Sequence, residues 1–180
     1  MSEICKWPRI PHLFKEMTVV EKIDGITACI DIQPLSKFDD RTIPHWAQAL
    51  YVLTPTQQYG VWVHTRRQWV TPLNDCHGIA RWVGRHVLSL VNVLGPGHHH
   101  GVWWGHGINR GYGLPPGDRR FSLYNVSRWQ HLAEQTPIPG LGVLPVLGRY
   151  PGFNPDTAWS LYNMLMESGS KAVPGWPTPA

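Results

Sequence analysis

The sequence predicts an α+β fold, and three observations carry that prediction. Apolar residues alternate at Ile26, Ala28, Ile30 and Ile32, which is the period of a strand with one buried face. From Gly78 to Leu94 they fall instead at Ile79, Trp82, Val83, Val87, Leu90, Val91 and Leu94, the steps of three and four of an amphipathic helix. Around that helix lie short strand-like runs punctuated by glycine and proline, with a second helical pattern near the end.

Taken in order, Met17 to Ile32 reads as strand, turn, strand, with Asp24-Gly25 as the turn signal and Lys22 at a strand end. Residues 33–50 carry Pro34, Pro44 and a charge cluster from Lys37 to Arg41, and read as an exposed excursion. Gly60 to Thr65 is a further strand that delivers Arg66 and Arg67 at its end. Asn74 or Asp75 is placed to cap the 78–94 helix, and Gly95-Pro96-Gly97 ends it. In residues 98–129 glycines separate aromatic and basic residues, and Phe121 to Val126 alternates as a strand. Leu141 to Leu147, interrupted by Pro145, suits an edge strand. The last helix starts near Pro155, presents Ala158, Leu161, Tyr162, Leu165 and Met166 as its buried stripe, and stops at Gly169. The remaining KAVPGWPTPA is a proline-rich tail.

Composition sets the bounds. At 180 residues, 42% hydrophobic and 16% charged, the chain has the make-up of one packed domain, expected over 18–180 after a lead-in at 1–17. Its charge of +4 and pI near 9.1 suit a phosphate-rich ligand. Cys5, Cys29 and Cys76 are odd in number and widely spaced, which fits reduced thiols in a cytoplasmic protein. No run of about 18 apolar residues points to a membrane. His98, His99, His100 and His106, with His77 and Cys76, hold donor atoms that suit zinc or nickel, and strand alternation would let His98 and His100 share an ion. The plainer reading, polar residues at a loop–strand junction, is preferred, and no metal ligand is assigned.

Four segments, in order, resemble the adenylation domain of ATP-dependent RNA ligases, in the covalent nucleotidyltransferase superfamily. EKIDG at 21–25 resembles that family's Lys-x-Asp-Gly motif. VHTRRQWVTPLNDCHGIARWV at 63–83 is similar to its Ser-Arg strand end and the following helix entry, with Thr65 for serine and Gln68 for a frequent second base. HHHGVWWGHGINRGYGL at 98–114 resembles its Gly-Glu-Trp-Trp-Gly segment, and FSLYNVSRW at 121–129 its adenine-stacking strand. The likeness covers about residues 18–176.

The resemblance implies a nucleotidyltransferase fold, with antiparallel sheets around a nucleotide cleft and the helices outside. It implies ATP and Mg²⁺, a nucleic-acid partner, RNA before DNA, with a 5′-phosphate end, and Lys22 as the residue that takes AMP. A lysine amine attacks only after losing its proton, which nearby positive charge favours. Glu21 would meet the adenine amino group, Asp24 and Gly25 would hold the turn, Arg66 would face ribose and phosphates, and Tyr124 would stack on the base. Two departures weigh against activity. Val102 stands where the family has a ribose-binding glutamate, and the family's Pro-Glu-Gly and Lys-x-Lys segments are not found before Ala180. The alternative expectation is therefore a catalytically defective nucleotide- or RNA-binding module.

Overall fold

A computed structural model describes residues 15–35, 50–54, 57–132 and 138–176. Among them the fold is α+β, with mostly antiparallel strands and two α-helices. Most of the excursion expected at 33–50 lies outside the described residues. The chain divides into two compact units, 24–143 and the pairing of 1–23 with 144–180.

The larger unit is built on one sheet. Its strands are β2 (Ile26–Pro34), β3 (Leu50–Leu53), β4 (Gln58–Thr65), the short β5 (Trp69–Val70), β6 (Gly97–Gly105), β7 (Arg119–Leu123) and β8 (Leu141–Val143). They run in the order β3-β4-β2-β6-β7-β8, with β5 on β4. All pairs are antiparallel except β7 with β8. The alternation along β2 sends Ala28, Ile30 and Ile32 into a core with Val61, Val63, Trp103, Phe121 and Leu123. Helix α1 (Ile79–Leu94) closes that core with Ile79, Val83, Leu90, Val91 and Leu94, the residues its periodicity selects. Gly78 occupies its N-terminal boundary with φ +80°, and the cap comes from further back. Asp75 accepts the Ala80 N–H at 2.8 Å and the Arg81 N–H at 3.2 Å, satisfying two donors of the first turn.

In the smaller unit β1 (Met17–Val20) pairs antiparallel with β9 (Val146–Tyr150), and α2 (Pro155–Ser168) follows. Asn154 caps α2 by accepting the Asp156 N–H at 2.8 Å, with proline in the first turn as expected.

Several local expectations change. β1 and β2 do not form a hairpin: β1 pairs with β9, and β2 with β4 and β6, so Glu21–Gly25 carries the chain from one sheet to another. Pro145 splits 141–147 into β8, an edge strand, and β9, because proline has no N–H to continue a ladder. β7 stops at Leu123, before Tyr124. Of the stripe expected on α2 only Leu161 is buried, while Ala158 and Tyr162 are exposed. Among the described residues no helix is long and apolar enough to cross a membrane.

Candidate functional site

Within EKIDG each residue meets a different environment. Glu21 is buried, and its backbone N–H donates to the Pro145 carbonyl at 2.9 Å, continuing the line of β1 beside β9. Its carboxylate accepts the Ser170 hydroxyl at 2.5 Å and the N–H groups of Lys171 at 2.8 Å and Ala172 at 3.2 Å. The segment that accepts this anchor is itself closed, because the Ser170 N–H donates to the Trp176 carbonyl at 2.9 Å. Residues 169–176, expected to be the end of a helix and a free tail, thus form a cap over the Glu21 carboxylate. Lys22 is exposed, and its side chain has no partner among the described residues.

Asp24 is clamped by a turn 85 to 88 positions away. Its N–H donates to the Tyr112 hydroxyl at 2.7 Å, one carboxylate oxygen accepts Asn109 Nδ2 at 2.8 Å, and the other lies 3.4 Å from Arg110 Nε. The turn adopts an uncommon backbone, with Asn109 at φ +46° and Tyr112 at φ +52°. Tyr112 is held there by its edge-to-face contact with Trp104, 5.1 Å between centroids. Trp104 is fixed in turn by donating to Ser122 Oγ at 2.9 Å. Gly25 packs flat on β6: a Cβ there would lie 2.6 Å from the Trp103 carbonyl oxygen and 2.7 Å from a Val102 methyl. Sequence reasoning missed Asn109, Arg110 and Tyr112 as partners of Asp24. Their signal was the glycine-rich turn INRGYG, which marks an uncommon backbone without saying what it holds.

Arg66 sits in the β4–β5 turn. Thr65 staples that turn by accepting the N–H groups of Arg67 and Gln68, each at 3.3 Å. A hydroxyl is what the turn requires, so threonine serves there as serine does. Arg66 and Arg67 are exposed, with no side-chain partner among the described residues. Tyr124 follows β7. Its N–H donates to the His100 carbonyl at 3.0 Å, and its hydroxyl shares a 3.1 Å hydrogen bond with Thr27 on β2. Thr27 alternates with the core residues of β2, so the phenol lies on the sheet face away from that core. Val102, 2% exposed, stands opposite Thr27 in the β2–β6 register and adds no polar atom to this face.

The histidines separate as strand alternation requires. His98 and His100 share a face, their rings stacked 6.4 Å apart, and His98 Nδ1 lies 3.3 Å from Asp31. His99 turns into the core and donates from Nε2 to the Gly95 carbonyl at 2.8 Å. Burial pushes the His99 imidazole below its ordinary value, partly opposed by that carbonyl bond. His100 is lowered too, by burial first and then by His64 and His98. Among the described residues no group of three or more His, Cys, Asp or Glu side chains is arranged to hold a metal ion.

The chain matches no protein-family model, no curated protein and no solved structure.

Proposed function

We propose that this chain is an ATP-dependent, ligase-like nucleotidyltransferase acting on nucleic acid, RNA before DNA, through an AMP adduct on Lys22. The observation that carries the reading is the contrast within EKIDG. Glu21, Asp24 and Gly25 are each fixed by specific contacts, while Lys22 between them is exposed and has no side-chain partner among the described residues. A segment that serves only as a solvated turn has no need of three hydrogen bonds to one carboxylate and two polar contacts to the next.

In this reading the Lys22 amine, once deprotonated, attacks the α-phosphorus of ATP. A P–N bond forms, the P–O bond to pyrophosphate breaks, and AMP stays on the lysine. The AMP then passes to a 5′-phosphate, and a 3′-hydroxyl displaces it to close the strand. Asp24 and Gly25 hold the loop that carries the lysine. Glu21 keeps about one of its four acceptor sites for an adenine amino group. Arg66 offers a planar fork of donors to phosphate oxygens, and Tyr124 a ring face to the base. Mg²⁺ would enter with ATP, where it would offset negative charge on the phosphates.

Incubation with labelled ATP and Mg²⁺ should give an acid-stable protein–AMP adduct that Lys22→Ala abolishes. Label that persists in Lys22→Ala overturns the assignment. One observation favours a second reading, a nucleotide- or RNA-binding module without catalysis: Val102, buried and apolar, stands where the resembled family has a ribose-binding glutamate. That reading expects saturable nucleotide binding and no adduct.

A further inference from the structure

On the α1 side of the larger unit lies an open cavity of about 200 Å³. Its lining includes Arg81, Arg85, Arg119, Trp82 and Trp103, and no carboxylate. Gly78 in the lining and His77 just before it have left-handed backbone, φ +80° and φ +52°. This turns the His77 carbonyl inward to accept both Trp103 Nε1 at 3.0 Å and Arg119 Nη1 at 2.9 Å. Arg119 also donates from Nε to the His106 carbonyl at 2.9 Å, so its guanidinium is held by neutral groups, and among the described residues no carboxylate pairs its charge. Arg85 is exposed and has no partner among the described residues, and Arg81 meets Asp75 at 3.0 Å. Trp82, half-buried, is fixed by donating from Nε1 to the Pro139 carbonyl at 3.0 Å and by packing 5.4 Å from Trp103.

We propose that this cavity is a second nucleic-acid contact, in which a single-stranded RNA sets one base against Trp82 while Arg85 and Arg119 hold the flanking phosphates. Charge complementarity selects the occupant, since the guanidinium groups of Arg85 and Arg119, left without a carboxylate partner among the described residues, stand beside aromatic walls and fit a strand that is both anionic and aromatic. Size argues against a fully enclosed cofactor. The cavity is smaller than the roughly 300–1,000 Å³ of sites that enclose a whole small molecule, so it takes one group of a longer chain running past it. The choice of RNA rests on the ligase reading; the placement of the contact rests on the cavity alone.

The test measures anisotropy of a labelled single-stranded oligoribonucleotide with the full chain, without ATP, so failure of the adduct assay leaves it readable. Arg85→Glu should weaken binding by about tenfold and lower the salt slope by about 0.7 for the lost phosphate contact. Arg85→Lys should recover most of the affinity. Lys15→Glu, an equal change in net charge at an exposed residue outside the cavity, should leave binding unchanged. Unaltered binding by Arg85→Glu overturns the proposal, as does an equal loss in Lys15→Glu. Inorganic polyphosphate displacing the RNA as well as unlabelled RNA of equal charge also overturns it, because the cavity would then read charge without a base.

Discussion

A carboxylate on a residue only 5% exposed needs hydrogen-bond donors, and Glu21 finds three of them in Ser170, Lys171 and Ala172. Glu21→Ala strands those donors and should cost about 2–3 kcal/mol, read as a lower urea midpoint. Lys22→Ala removes an exposed side chain with no partner among the described residues and should change stability by less than about 0.5 kcal/mol while abolishing the adduct. A midpoint shift in Lys22→Ala as large as that of Glu21→Ala would mean the lysine is structural. Tyr124→Ala should weaken nucleotide binding by about tenfold or more and Tyr124→Phe far less, since the ring face carries about 1–3 kcal/mol. Equal affinity of Tyr124→Ala and the parent would assign the ring to the fold, where its hydroxyl bonds Thr27. The histidines set a pH dependence. His99 and His100 take up protons less readily in the folded chain than in the unfolded one, so below about pH 6.5 the unfolded state binds more protons and stability falls with pH. Urea melts at pH 7.5 and 5.5 should show that loss, and His99→Gln should shrink it.

At the scale of elements, periodicity identifies the shared face of a helix, while the neighbours decide whether that face is covered. The α1 stripe is buried because β2, β4 and β6 present apolar residues to it. On α2 the same kind of pattern leaves Tyr162 48% exposed. Capping follows similar logic. Asp75, named from its position before the helix, reaches past His77 and Gly78 to the Ala80 and Arg81 N–H groups, so Asp75→Ala should cost about 1–2 kcal/mol in a thermal or urea melt. The Glu21–Gly25 crossing between sheets depends on close backbone approach. Gly25→Ala drives a methyl into β6 and should cost about 1–3 kcal/mol. Gly142→Ala, where a Cβ meets nothing within 4 Å, should change stability by less than about 0.5 kcal/mol. Similar losses in the two variants would show that Gly25 is not tightly packed.

For the whole molecule, the largest buried cluster belongs to the unit spanning 24–143, whereas α2 buries only Leu161. Amide exchange should therefore be slowest in β2, β4 and β6, with α2 and the β1–β9 pair opening at lower free energy. Uniform protection across all of these would contradict that ranking. The sequence by itself determined the α+β class, the extent of α1 and the start of α2, and which residues of β2 face the core, because these follow from local period, proline and glycine. It also marked 21–25 as a special stretch. Only the tertiary structure decided that β1 and β2 part company, that Tyr112 and Asn109 hold Asp24 from more than eighty residues away, and that Ser170 to Ala172 satisfy Glu21. Strand partners and buried hydrogen bonds are chosen by the free energy of the assembled packing, and residues so far apart in sequence leave no periodic trace of the pairing.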